Sequence, residues 1–326
     1  MSSTSILVIK PSSLGDVVHT LPAVSAIRAS NPEAKITWVI NPEWASLLRG
    51  NPDVAHVHIF PRGELGGIGA AARFFPWWRR TRTLRPDVAI DFQGLLRSAL
   101  IGRVSRPQQF YGMSDGREGS RLFYDRVAPV DRRAHAVDRY LALAEFFGAT
   151  VTRPLQFPLP TGDPLPRFDD YPPFVLLHPF ARGSGKSLRA RAIETFCAQL
   201  HPTRVVIVGK SQMKIAIADN CVDLTNHTTL LQLIRLIRAA RWTISVDSGP
   251  MHIASAISPR LVSIHTWSDP RRVGPYNRDA WIWKHGALLR VADLDHAADL
   301  KKGRAFLPED VASVVALVQS RWDDPA

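Results

Sequence analysis

The sequence predicts an α/β protein made of two Rossmann-like domains, each a parallel sheet flanked by helices, facing a central cleft. Three observations carry that expectation. Short β-branched apolar runs recur at wide spacing between stretches of helical period, the pattern of repeated βαβ units. The 326 residues suffice for two domains at roughly 100–200 residues each. Residues 151–173 hold seven of the 25 prolines and no apolar period, which reads as a linker.

Candidate strands fall at 5–10, 35–40, 54–60 and 88–93 in the first half, and at 174–178, 204–208, 242–246 and 260–265 in the second. Residues 307–321 read as a final helix, with Pro308 near its start, acids in its first turn and Arg321 at its end. Its apolar positions Val311, Val314, Val315 and Val318 share one face, so that face must dock.

With 45% hydrophobic residues the chain is neither disordered nor fibrous. Its two cysteines, Cys197 and Cys221, form no disulfide framework and no metal-ligand spacing, so a reducing, cytoplasmic setting is expected. The first apolar run ends at Lys10, too short for a secretory signal, and no window approaches the roughly 18 apolar residues of a membrane span. The expectation is a soluble or membrane-peripheral protein. The net charge is +12, from 41 basic against 29 acidic residues, and arginine supplies nearly all of the excess. Coding bias and recognition of phosphate or carboxylate by bidentate guanidinium forks both account for that.

Three junctions carry chemistry. The first strand enters Lys10-Pro11-Ser12-Ser13-Leu14-Gly15-Asp16, with a helix expected from about Val17. Such strand–turn–helix junctions aim backbone N–H groups at ligands, although the dinucleotide G-x-G-x-x-G is absent. Asp16 is either a helix-start carboxylate or a general base. The strand 174–178 opens into Pro179-Phe180-Ala181-Arg182-Gly183-Ser184-Gly185-Lys186-Ser187. Phe180 stands where a P-loop needs glycine, so Arg182 and Lys186 read as an anion loop or as a solvated basic one. Asp247-Ser248-Gly249-Pro250-Met251-His252 then joins a strand to a helix N-terminus, a ready seat for a pyrophosphate with His252 in its first turn. A fourth stretch, Arg73 to Arg85, holds five arginines, four aromatics and no acid. It suits an anionic membrane or glycolipid, or nucleic acid, or a helix with a buried aromatic face and solvated arginines; no nucleic-acid module surrounds it.

The run Ser12–Pro22 resembles the N-terminal signature of the lipopolysaccharide heptosyltransferases, the ADP-heptose-dependent glycosyltransferase family 9. The resemblance continues through Asp91–Ala99, Tyr111–Met113, Arg117-Glu118, His135–Arg139, Val246–His252 and Ser268–Pro270, essentially the whole chain, and the middle region is most similar to the heptosyltransferase I branch. It implies a GT-B fold with residues 1–158 as the acceptor domain, 159–305 as the nucleotide-sugar domain, and 306–326 as a helix returning toward the first. It implies an inverting, metal-independent enzyme with no cofactor beyond the ADP-sugar co-substrate. Asp16 takes the role of base, and Lys186, Arg182, Asp247, Ser248, Gly249 and His252 that of donor seat. Ser13, Gly15, Arg117, His135 and Arg139 become acceptor-binding residues. The implied partners are ADP-heptose, an anionic Kdo–lipid A glycolipid and the inner face of the cytoplasmic membrane, not nucleic acid. The chain departs from the family where a donor-ribose glutamate is usual, having Met213, and where Trp-Pro follows the lysine, having Leu188 and Arg189. Another sugar donor, a later core acceptor, or a non-catalytic anion-binding module are the competing readings.

Overall fold

The computed structural model describes residues 4–64, 70–168, 171–183, 185–297, 300 and 303–324. The chain forms two compact units, Met1–Pro160 and Thr161–Ala326.

The first unit alternates β1 (Ser5–Ile9), α1 (Leu14–Ser30), β2 (Lys35–Ile40), β3 (His56–Ile59), α2 (Ala70–Thr83), β4 (Val88–Asp91), α3 (Leu96–Val104), β5 (Gln109–Met113), β6 (Arg126–Ala128) and α4 (Ala136–Phe147). Every strand pair is parallel, in the order β3-β2-β1-β4-β5-β6. Strands covered by helices on both faces need continuous apolar runs, which is why β1 is buried from Ile6 to Ile9. The order reverses between β1 and β4, so the connections leave in opposite directions there and open a crevice at the strand carboxyl ends.

The second unit comprises β7 (Phe174–His178), α5 (Ala190–Leu200), β8 (Arg204–Ile207), β9 (Cys221–Asp223), α6 (Leu230–Ala239), β10 (Trp242–Val246), α7 (Gly249–Ile257), β11 (Leu261–His265), α8 (Pro270–Val273), β12 (Trp281–Lys284), β13 (Ala287–Arg290) and α9 (Val311–Ser320). Its order is β13-β12-β11-β10-β7-β8-β9, reversing between β7 and β10. Among the described residues only β12–β13 is antiparallel, closed at His285-Gly286 with φ of +52° and +89°, the two left-handed positions of a tight hairpin.

Five strands, β5, β6, β9, β12 and β13, lie outside the sequence expectation because they lack an apolar β-branched run. In β5 Gly112 packs where a Cβ would lie 2.3 Å from the Tyr124 ring, so tertiary packing rather than propensity places it. The last helix, α9, is where the sequence places it. Its buried face is the expected one: Val311, Val314, Val315 and Val318 join the second unit's core with Phe196 and Leu200 of α5. Without them the apolar face of α5 would meet water, at about 1.5–3 kcal/mol per valine. The linker is irregular apart from a 3-10 turn at Pro166–Phe168, with Asp169 and Asp170 outside the described residues. Asn51 Nδ2 donates to its Pro158 carbonyl at 3.0 Å and its Asp163 N–H donates to Leu231 at 3.1 Å, each hold lying within one unit.

Candidate active site

At the first crevice α1 starts at Leu14, earlier than the sequence suggested, because Ser13 is its N-cap and Asp16 turns back over the first turn. Asp16 Oδ2 accepts from Ser13 N–H at 3.0 Å and from Ser13 Oγ at 2.7 Å. Its other oxygen, Oδ1, accepts from the Tyr140 hydroxyl at 3.3 Å and lies 4.0 Å from Lys10 Nζ. The helix start and the Lys10–Tyr140 pair are therefore met by different oxygens of one carboxylate.

Lys10, at the end of β1, is 2% exposed, and its Nζ donates to the Phe92 carbonyl at 2.9 Å and to the Tyr140 hydroxyl at 2.7 Å. Burial pulls its pKa below the usual lysine range, while Asp16 first and then Asp91 pull the other way. Burial pushes the Tyr140 phenol well above its usual range, so it stays protonated and donates a hydrogen bond throughout physiological pH. The Asp16 side chain keeps 38% exposure, so a hydroxyl in solvent can reach it. Behind them Asp91 fixes the turn after β4: it accepts from Gln93 and Gly94 N–H, Ser98 Oγ and Tyr124 OH at 2.7–3.2 Å. Burial raises its pKa against those bonds.

The other first-unit candidates are spread around this centre. Ser13 and Gly15 form the helix start itself. His135 is the N-cap of α4; its Nδ1 accepts from Val137 N–H at 3.2 Å, leaving a neutral ring's proton on Nε2, and its ring meets His19 of α1 edge-on at 5.0 Å. Arg139 is engaged in an ion pair with Asp115. Arg117 is exposed on a separate turn, tied by its backbone N–H to Gly94 at 2.8 Å.

At the second crevice the loop after β7 meets the turn after β10. Lys186 Nζ pairs with Asp247 Oδ2 at 2.6 Å, with Lys186 34% and Asp247 8% exposed. Burial would raise the Asp247 carboxyl, but His265, Lys186 and Ser268 outweigh it and hold the pKa below the usual range. His178, from the end of β7, places Nδ1 3.2 Å from Ser248 Oγ, the N-cap of α7, and burial lowers its pKa to about 4. His265, ending β11, is likewise lowered to about 4 by burial and holds Ser268 at 3.0 Å. Buried Lys284 donates to the carbonyls of Thr266 at 3.1 Å and Ser268 at 3.0 Å, fixing that loop. Gly249 opens α7 and His252 is buried in its first turn; Pro250 has no N–H and Met251 N–H donates to the Ser248 carbonyl at 3.1 Å, so it is chiefly the positive end of the helix that lies near the Lys186–Asp247 pair. Gly185 has φ +71°, and a Cβ there would lie 2.9 Å from Trp267 Nε1, which fixes glycine beside Lys186. Arg182 is exposed in the same loop, and Ser184 lies outside the described residues. Met213 is 38% exposed in the irregular segment after Gly209, its N–H held by Ser211 Oγ at 3.0 Å.

Lys10, Tyr140, His178, His265 and Lys284 were not singled out by sequence as site residues. Each sits at a strand end or on a helix face whose pattern reads as core. The available signal was a cation directly after an apolar strand, as at Lys10.

Two doubly wound units, each with polar side chains gathered at its own switch point, are the architecture of the GT-B fold. Residues 76–302 match glycosyltransferase family 9 (heptosyltransferase), and the chain belongs to that family. It is similar to the lipopolysaccharide core heptosyltransferase OpsX of Haemophilus influenzae, 23% identical over 290 residues covering 84% of this chain and 82% of that one. It is similar also to lipopolysaccharide heptosyltransferase 1 of Pseudomonas aeruginosa, 27% identical over 298 residues covering 84% and 81%. Among solved structures, E. coli heptosyltransferase WaaC with ADP shares the fold at a TM-score of 0.77 and 19% identity, over 97% of this chain and 99% of that one.

Proposed function

We propose that this glycosyltransferase moves heptose from ADP-heptose to an anionic Kdo–lipid A-type acceptor in lipopolysaccharide core synthesis, with inversion and without a metal ion, at the inner face of the cytoplasmic membrane. The observation that carries the chemistry is the Asp16 carboxylate, anchored through Oδ2 and presented through Oδ1 beside Lys10 and Tyr140. Asp16 removes the proton of the acceptor hydroxyl as its oxygen bonds to the anomeric carbon. The bond from that carbon to the diphosphate breaks, and its electron pair leaves with ADP. One carboxylate suffices, because a direct displacement needs a base only for the incoming hydroxyl. The charge developing on the leaving group meets Lys186 and the start of α7, a preorganised cationic seat. Lys10 and Tyr140 favour the ionised form of Asp16 and fix its orientation. Arg117, His135 and Arg139 supply the acceptor side.

The test is Asp16→Asn, assayed for ADP release from ADP-heptose in the presence of acceptor, with donor affinity measured separately. Loss of turnover of at least about 100-fold with near-normal donor affinity is expected for a missing base. Near-normal turnover would remove Asp16 from that role. A panel of ADP- and UDP-sugars tests the donor assignment that Met213 bears on.

A further inference from the structure

The arginine-rich segment 73–85 resolves into two faces of α2. Trp77 is 7% exposed, donates Nε1–H to the Ile59 carbonyl at 2.7 Å and packs against Phe60. Phe75, Trp78, Arg79 and Arg82 form the other stripe, at i, i+3, i+4 and i+7. That stripe, with Arg85 and Arg106, lines an open groove of about 490 Å³ with no carboxylate in its wall among the described residues. Phe75 is 58% exposed and stacks on Trp78, and the Arg82 guanidinium lies 5.0 Å over the Trp78 ring. Arg85 and Arg106 both hold left-handed backbone, φ +39° and +57°, a region that non-glycine residues seldom enter, and both belong to this groove. Asp87 accepts from Ser5 and Gln108 and does not line it.

The position is informative. Arg85 precedes β4 and Arg106 precedes β5, so the groove lies at the amino ends of the strands. Asp16 and the turn held by Asp91 lie at the carboxyl ends. The groove is therefore separate from the crevice where an acceptor hydroxyl would meet Asp16.

We propose that this groove is an anchor for the phosphate groups of anionic phospholipids, holding the protein on a bilayer with Phe75 and Trp78 at headgroup level. Guanidinium forks match phosphate oxygens, and an apolar stripe level with the cations suits an interface, where aromatic rings enter the headgroup layer. A free phosphate would use the arginines and leave the aromatics idle. Trp78 already carries Phe75 and Arg82 and so offers a nucleic-acid base less ring surface, while the exposed Phe75 ring makes single-stranded RNA the competing arm of the test. The anchor deepens the membrane placement given above, on which the choice of lipid rests, and does not depend on the sugar donor.

The experiment is co-sedimentation of the full chain with vesicles of phosphatidylglycerol in phosphatidylethanolamine, against phosphatidylcholine vesicles. Wild type should bind the anionic vesicles only, and less at high salt. Arg79→Gln with Arg106→Asn, the asparagine chosen because it tolerates left-handed backbone, should weaken partitioning roughly 25-fold, at about five-fold per arginine. Phe75→Ser should weaken it in a way salt does not alter. Turnover of both variants on a water-soluble, deacylated acceptor should stay at the wild-type level. Equal vesicle binding by variant and wild type, or no binding by wild type, overturns the anchor. So does loss of single-stranded RNA binding in place of vesicle binding, or loss of turnover on the soluble acceptor, which would assign the groove to the acceptor site. If wild type turns over no ADP-heptose yet shows the vesicle pattern, the donor assignment fails and the anchor stands.

Discussion

Replacing Lys10 by methionine keeps an unbranched apolar stem one atom shorter and removes the charge. That charge lies 4.0 Å from Asp16 Oδ1. Two unit charges at this distance interact by about 1 kcal/mol in water and about 4 kcal/mol at an effective dielectric of about 20. Asp16 is 38% exposed, which moves the interaction toward the aqueous limit, about 1–2 kcal/mol or roughly ten-fold. Losing a nearby cation disfavours the carboxylate, so the acid limb of the kcat/KM profile should move about one pH unit upward. Stability should change little, because the desolvation cost of a buried ammonium disappears while Tyr140 and Phe92 lose a donor. The assay is a pH series of initial rates on Lys10→Met, with Tm measured alongside. Tyr140→Phe leaves the cation in place and should move the limb in the same direction by less. A folded Lys10→Met protein whose profile superimposes on wild type would refute the coupling of Lys10 to Asp16.

Lys186→Ala should weaken ADP binding by roughly 10–100-fold, the range of one charge-assisted hydrogen bond, in isothermal titration calorimetry; an unchanged Kd would leave the loop merely solvated. His178 and His265 are held near a pKa of about 4 in the fold, against 6.5 for the free side chain. The unfolded chain thus takes up protons that the fold does not. The associated stability is complete above about pH 6.5 and falls as pH drops toward 4, by on the order of 3 kcal/mol per histidine. Urea midpoints across that window measure it. His265→Asn should flatten the slope, and a midpoint independent of pH would contradict the buried, neutral histidines.

The long apolar strands were legible because parallel strands buried on both faces need unbroken Val, Ile and Leu runs, as in β1 and β11. Asp16, Lys186 and Asp247 were legible because each follows such a run, where a doubly wound sheet brings chain to its crevice. Lys10 and Tyr140 were not, since the pattern places them in the core and only the fold shows that the core is where their polar atoms meet. The four valines of α9 announced a buried face but carried no address, because hydrophobic burial is non-directional. Arg139 matched a motif for acceptor binding, and sequence spacing could not show that Asp115 would engage it.

Asp16 binds through one oxygen to the start of α1 and through the other to Tyr140. Asparagine can accept through only one of those positions. Glutamate carries its carboxylate one methylene away from Ser13 N–H. Serine can cap a helix but has no second oxygen for Tyr140. In a saturation library selected for stability alone, several residues should survive at this position. Selected for transfer, the position should admit aspartate and nothing else, so the contrast between the two libraries separates what the helix needs from what the reaction needs.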